Sequence, residues 1–435
     1  MPEHVRVSGS DPTTGAGGTS AGRGPSRTSS DRGRITGRIG LLGPAFVAAV
    51  AYVDPGNVAT NLQAGARYGY LLVWVLVVAT ASAGVVQFLS AKLGLVTAAT
   101  LPELVGRRLG RPSRLTYWLQ AEAVAMATDI AEVIGGAVAL YLLFDLPLLL
   151  GGVIAGAVSL ALLVVQNRRG QRPFERLITG FLVIIAVGFL AGLFVAPPSA
   201  ADVAAGLVPH FDGLDSLLLA TAMLGATVMP HALYLHSALT RDRFGIVPPG
   251  PARRRLLGAT RTDVVFAMIL AGSVNISMLL LAASGLRGQD HVDTIEGAHG
   301  AITTTLGPVV GVFFAVGLLA SGLASTSVGC YAGSVIMEGL LRVRVNLLFR
   351  RAVTLVPALV VLSIGADPTS VLVISQVVLS FGLPFVLVPL LLLTSDRGLM
   401  GTDANRRPVK VLGWLITAAI VVLNAVLVVG VLTKG

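Results

Sequence analysis

From about residue 38 onward the chain is written in long apolar runs separated by short polar segments rich in arginine. Eleven runs can cross roughly 30 Å of hydrocarbon at about 1.5 Å per residue, allowing for tilt and one short span. The first six are Ile39–Ala66, Leu71–Val96, Leu115–Phe144, Leu146–Val165, Leu177–Ala196 and Leu217–Leu239. The remainder are Val264–Leu286, Val309–Leu341, Ala352–Ile364, Val371–Leu393 and Val411–Leu432, with the ninth the weakest. The pattern predicts an all-α integral membrane protein of eleven transmembrane helices. Ahead of it, residues 1–35 are Gly, Ser, Thr, Pro and Arg with almost nothing apolar, which predicts a disordered cytoplasmic tail. That stretch is too long and polar to be a cleaved signal peptide.

Composition points the same way. Hydrophobic residues make up 54 % of the 435 positions and charged residues 12 %, against about 25 % charged in an ordinary soluble domain. Mean hydropathy is +0.81. The single cysteine, Cys330, excludes an internal disulfide and a paired-cysteine metal site. A net charge of +10 could suggest nucleic acid, so the position of the basic residues matters. With the tail inside, all 32 Lys and Arg residues except Arg67, Arg287 and Lys434 fall in the tail or on cytoplasmic ends and loops. Cytoplasmic retention of Lys and Arg explains that alternation, and a miscounted span would scramble it. The expectation is a multi-pass protein of the cell membrane with a cytoplasmic N-terminus and an extracellular C-terminus. Its partners are the lipid bilayer and small ions, with no nucleic acid and no evident obligate protein partner.

Two runs are interrupted. Span 1 meets Asp54-Pro55-Gly56-Asn57 before resuming apolar character, and span 6 meets Gly225-Ala226-Thr227-Val228-Met229-Pro230-His231. Pro55 and Pro230 each remove a helical donor, and Gly56 adds backbone freedom, so the helices should unwind there. A turn between two short helices is the plainer reading of the first break, but neither half is long enough to span. Non-helical backbone at membrane depth requires protein or a watery cavity to satisfy it. Spans 1 and 6 lie five apart, so two five-span units would have opposite orientation. Interrupted helices at matching positions of inverted halves point to a transporter with its site between them. The expected organisation is a first repeat over 36–200, an inverted second repeat over 214–395 and an additional helix over 410–435.

The breaks also carry chemistry. Asp54 lies near mid-membrane, where an acidic side chain costs roughly 2.5–3.5 kcal/mol on insertion scales and so implies a cation, a proton or an arginine. Asn57 adds an amide oxygen, Met229 a thioether, and unwinding frees backbone carbonyls, that of Ala226 foremost. Hard ions prefer oxygen throughout, whereas a thioether favours softer transition metals. Met229 in an apolar helix could equally be core filling. Span 3 places Glu122, Asp129 and Glu132 on one helical stripe. Such a stripe suits a proton relay, or it is neutralised by Arg350 and Arg351 at the start of span 9. His231 titrates near neutrality and could carry protons, while His236 should serve packing.

These residues resemble the Nramp family of divalent metal transporters. Asp54-Pro55-Gly56-Asn57 is similar to the family's first-span signature, and Met229-Pro230-His231-Ala232-Leu233-Tyr234-Leu235-His236-Ser237 to its sixth-span signature. The likeness runs from about residue 38 to the end and includes Ala-Thr-Asp-Ile-Ala-Glu of span 3 and Ser375-Gln376 of span 10. The resemblance implies a LeuT-like fold of two inverted five-helix repeats and proton-coupled import of Mn²⁺ or Fe²⁺, with Co²⁺ and Cd²⁺ as further cargo. It implies metal contact by Asp54, Asn57, the Ala226 carbonyl and Met229, with Gln376 joining in some conformations. It associates His231, Asp129, Glu132, Arg350 and Arg351 with proton movement, and it requires no cofactor. A magnesium-transporting branch lacks the sixth-span methionine, so Met229 indicates the transition-metal branch. Ala232 departs from the Asn of many relatives, and the eleventh span fits bacterial members where some relatives have twelve.

A sodium-coupled amino-acid symporter of the same fold is the competing reading, although a small polar substrate does not require methionine beside aspartate. An intramembrane enzyme is disfavoured. The chain has no His-Glu-x-x-His or Gly-x-Gly-Asp, and no Ser or Cys with a recognisable base.

Overall fold

The computed structural model describes residues 43–169, 171–287, 292, 294–343 and 345–434. The expected tail and the first residues of span 1 lie outside them. The described residues form helices and connecting turns without a strand. In chain order they are α1 (Pro44–Val50), a 3-10 turn (Ala51–Val53), α2 (Pro55–Tyr68), α3 (Val73–Thr97), α4 (Leu101–Arg108), α5 (Arg111–Phe144) and α6 (Leu148–Arg169). Next come α7 (Gln171–Val195), α8 (Ala200–Ala205), α9 (Gly213–Thr227), α10 (Pro230–Phe244), α11 (Pro251–Gly285) and α12 (Ile295–Thr305). The last are α13 (Pro308–Leu341), α14 (Leu347–Ser363), α15 (Pro368–Ser395), α16 (Arg397–Met400) and α17 (Arg407–Lys434).

Each expected span has its helix. Span 1 is α1 with α2, span 6 is α9 with α10, and α3, α5, α6, α7, α11, α13, α14, α15 and α17 supply the others. Eight of these units are long and apolar enough to cross a bilayer by length and composition. The shorter ones are the interrupted α1–α2, α6, and the ninth span α14. The short helices α4, α8, α12 and α16 were not expected from the apolar pattern, because they sit in connections. Their starts are nonetheless encoded locally. Thr100 and Glu103 form a reciprocal capping box at α4, and Ser199 and Thr294 cap α8 and α12.

Burial separates core helices from lipid-facing ones. Across the most apolar stretch of Gly213–Phe244, 94 % of residues are buried, against 28 % for Arg407–Gly430. The interrupted helices therefore lie at the centre and α17 at the edge. Helix α5 packs along α13, α2 along α11, α10 along α3, and α15 along α9. The connections where the arginines gather are cross-braced. Arg241 pairs with Glu103 at 2.5 Å, Arg253 with Asp403 at 3.1 Å, Arg108 with Asp396, and Arg243 with Glu175. The Lys92 ammonium, on α3, donates to the Asn405 side chain at 2.5 Å and to the Asp403 carbonyl at 3.1 Å. Glu103, Asp403, Asp396 and Glu175 are thus spent on basic partners, while Asp263 of α11 accepts from the Gly43 and Ala45 backbone N–H groups at 3.1 and 3.0 Å.

Candidate metal centre

The first break is narrower than the Asp-Pro-Gly-Asn quartet suggested. Helix geometry tightens to 3-10 at Ala51–Val53, only Asp54 is extended, and Pro55 already begins α2. The reason is positional. Proline at the first helical position lacks a donor that would be unpaired anyway, and the Asp54 carboxylate caps the new helix. Asp54 Oδ1 accepts from the Asn57 backbone N–H at 2.9 Å and from Asn57 Nδ2 at 2.7 Å. The carbonyls left behind are met by other helices. Asn275 Nδ2, on α11, donates to the Tyr52 carbonyl at 2.7 Å, and Ser321 Oγ, on α13, donates to the Val53 carbonyl at 2.5 Å.

The second break is confined to Val228 and Met229. Four residues after Ala226 stands Pro230, which has no N–H to give it, so the Ala226 carbonyl is released. Asn57 Nδ2 reaches across from α2 and donates to that carbonyl at 3.0 Å. One amide nitrogen thereby ties the two interrupted helices together. From α15, Gln376 Nε2 donates to Asp54 Oδ2 at 3.2 Å and to Ser375 Oγ at 3.2 Å.

All of these groups are sealed from solvent: Asp54, Asn57, Ala226, Met229 and Gln376 are each 0 % exposed. Two acceptors, Asn57 Oδ1 and Gln376 Oε1, have no hydrogen-bond partner. A buried amide oxygen without a donor is costly, and a cation is one way to relieve it. Carboxylate, amide and backbone oxygens from three helices are therefore gathered about Asp54, with Met229 flanking Pro230 in extended backbone. No cluster of three His, Cys, Asp or Glu able to hold an ion occurs among the described residues. The centre is one carboxylate supported by neutral donors.

The acidic stripe of span 3 divides into different situations. Glu122 Oε1 accepts from Arg350 Nη2 at 2.7 Å. Asp129 faces Arg351 at 3.4 Å, with both side chains buried and neither oxygen of Asp129 in a hydrogen bond of good geometry. Ser159 on α6 holds the Arg351 Nε–H at 2.9 Å. Glu132 pairs with neither arginine; its carboxylate packs over Gly329 of α13 and meets no well-formed hydrogen bond. Neutralisation by arginine thus accounts for Glu122 and Asp129 and leaves Glu132 over. His231, in the first turn of α10, sets Nδ1 3.5 Å from Thr128 Oγ1 on α5, and its Nε2 has no partner. His236 is buried against α3, where Tyr52 Oη donates to Gln87 Oε1 at 2.6 Å.

Asn275, Ser321, Ser159 and Thr128 escaped the sequence reading. Each is an uncharged polar residue in a largely apolar helix, and only packing reveals which group of another helix it faces.

Comparison with known proteins follows the same lines. The family model described as "Nramp: Natural resistance-associated macrophage protein-like" matches residues 45–430. The divalent metal cation transporter MntH of Mycobacterium tuberculosis is 59 % identical over 388 residues, covering 89 % of this chain and 91 % of that protein. A crystal structure of a variant of the Eremococcus coleocola manganese transporter is 33 % identical with a TM-score of 0.82, covering 90 % of this chain and 87 % of that one. MhsT, crystallised in complex with L-phenylalanine, matches at 13 % identity and a TM-score of 0.60, covering 89 % of this chain and 98 % of that one. At that identity the likeness concerns the LeuT-like fold alone.

Two glycines make room for Gln376, and they should respond differently to alanine. A Cβ on Gly56 would lie 1.7, 2.3 and 2.8 Å from Gln376 Nε2, Cδ and Cγ, all side-chain atoms, so the Gln376 side chain leaves Asp54 while the backbone stays in place. A Cβ on Gly225 would lie 2.2 Å from the Gln376 carbonyl and 2.8 Å from Ser380 N, which are backbone atoms. Overpacking of that kind costs typically about 1–3 kcal/mol. Thermal unfolding of the purified variants should therefore show a clear loss of stability for Gly225→Ala and little for Gly56→Ala. Equal losses would show that Gln376 is not free to yield.

Proposed function

The chain belongs to the Nramp family, a multi-pass membrane transporter family, and we propose that it imports divalent transition-metal ions together with protons. The cargo proposed is Mn²⁺ and Fe²⁺, with Co²⁺ and Cd²⁺ accepted by the same ligand set. Transport is proposed across the cell membrane, with the N-terminus cytoplasmic and the C-terminus extracellular. The observation that carries the reading is the convergence of both broken helices on Asp54, with Asn57 bonded to Asp54 and to the Ala226 carbonyl.

In this reading the ion takes the place of hydrogen bonds that now hold the site shut. Asp54 supplies the charge, Asn57, Ala226 and Gln376 supply neutral oxygens, and Met229 supplies a soft ligand that hard cations do not favour. Because the ligands come from α2, the end of α9 and α15, binding links three elements that alternating access must move relative to one another. Protons take a separate route through His231, Asp129, Glu132, Arg350 and Arg351. Arg351 and Asp129 face each other without a tight hydrogen bond, an ion pair that a transferring proton can open and close.

Asp54→Ala should abolish Mn²⁺ uptake in proteoliposomes while the protein remains folded. It removes the only acid at the breaks, and a dication at the midplane needs charge compensation. Normal uptake by that variant would refute the site.

Met229→Ala should retain partial Mn²⁺ transport and lose discrimination against Ca²⁺ and Mg²⁺. Removal of the thioether leaves an oxygen site that hard cations accept, with water filling the gap. Competition of Mn²⁺ uptake by Ca²⁺ measures this. Undiminished exclusion of Ca²⁺ would place selectivity elsewhere.

Glu132→Gln and His231→Gln should uncouple the two fluxes. Both substitutions keep shape and remove a group that can take and give a proton, so metal still binds while proton movement falls. Metal uptake and internal acidification are measured together. Loss of both signals with reduced thermal stability would assign these residues a structural role instead.

A further inference from the structure

The last helix, α17, lies at the edge of the bundle and is apolar along most of its length. Of the two polar side chains in its middle, Thr417 turns back to its own helix, donating to the Gly413 carbonyl at 2.9 Å. Asn424 does not. Its Nδ2 donates to the Ser380 carbonyl on α15 at 3.0 Å, and its Oδ1 accepts from Ser380 Oγ at 2.9 Å. Asn424 is 5 % exposed and Ser380 0 %.

The bonded carbonyl is a particular one. Pro384 stands four residues after Ser380 and has no N–H, so the Ser380 carbonyl lacks its helical donor. In an apolar interior such a group must find a partner elsewhere. One helical turn before Ser380 on α15 is Gln376, whose amide donates to Asp54. The same turn also packs closely on α9, where Gly225 admits the Gln376 carbonyl and Ser380 N at distances that no side chain would allow. The turn of α15 that carries Gln376 is therefore held both by α9 and by Asn424.

We infer that Asn424 is a positioning residue for the metal centre: by capping the carbonyl that Pro384 releases, it sets the register of the α15 turn that aims Gln376 at Asp54. The appended helix is then part of the transport machinery through a single reciprocal pair, although it touches no ligand. The inference rests on the reading of Asp54 and Gln376 as metal ligands. Supporting partners of metal ligands are commonly worth about 10- to 100-fold in affinity.

The test is a double-mutant cycle on Mn²⁺ uptake in proteoliposomes. Asn424→Leu should raise the KM for Mn²⁺ by about tenfold and leave the maximal rate within about twofold, as expected when binding is lost without loss of turnover. In a Gln376→Ala background the same substitution should change KM by less than about twofold, because the residue through which it acts is gone. A purely structural role would raise KM or lower the rate equally in both backgrounds, and that result would overturn the inference. So would an unchanged KM in a folded Asn424→Leu protein. Where Asn424→Leu fails to accumulate, Ser380→Ala replaces it. That change removes one half of the reciprocal pair and should raise KM by about threefold, again only while Gln376 is present. An unchanged KM for Ser380→Ala, or an equal rise without Gln376, would overturn the inference. Absence of uptake of any divalent ion by the wild-type protein would overturn the metal-transport reading, and this inference with it.

Discussion

A proline in an apolar helix leaves one carbonyl without a donor, and much of this architecture answers that fact. Pro230 releases Ala226, which Asn57 serves. Pro384 releases Ser380, which Asn424 serves, and Pro389 releases Phe385, whose carbonyl accepts from Tyr117 Oη at 2.5 Å. Around Pro55, the displaced carbonyls of Tyr52 and Val53 are taken by Asn275 and Ser321. Each of these four interruptions thus recruits a polar side chain from a neighbour. The polar centre of the protein is assembled from these pairings.

The same logic explains how much the sequence discloses. Apolar runs, arginine spacing and the prolines at 55 and 230 are local features, so the span count and the two breaks are visible along the chain. The extent of each break is less visible, because Pro55 and Pro230 start new helices as readily as they end old ones. Asp54, Asn57, Ala226 and Met229 are legible because they sit at the breaks. Gln376 entered only through likeness to a family, since nothing in its own stretch of α15 marks it. Asn275 and Ser321 were hidden because their significance lies in which carbonyl faces them, a property of packing between segments more than 200 residues apart.

Buried charge follows a second rule with a different outcome. A lone ion in the interior is expensive, yet removing its partner is worse than never burying the pair. Glu122 with Arg350, and Asp129 with Arg351, obey that rule, and Arg351 is further held by Ser159. Glu132 does not have such an arginine, and Asp54 has only amide donors. Of Asp54 at the first break and the three acids of α5 inside the bundle, the two without a basic partner are therefore Asp54 and Glu132, three residues beyond Asp129. These are the positions where a mobile cation, metal at one and proton at the other, would complete the charge balance under the proposed function.

Under the proposed function the site must also release what it binds, and the proposed donor set suits that requirement. Several carboxylates in a dry interior would hold a dication too tightly to let it leave, while neutral oxygens alone would not repay its dehydration. Under the proposed function, one carboxylate with amide, carbonyl and thioether ligands falls between these limits. The hydrogen bonds now joining Asp54 to Asn57 and Gln376 give the carboxylate partners when no ion is present, so an empty site is not left as an unpaired buried charge. In that reading, an ion that binds exchanges one set of contacts for another. The same exchange changes what ties α2, α9 and α15 together. A site built this way couples occupancy to helix arrangement without needing strong net affinity, which is the condition that alternating access imposes.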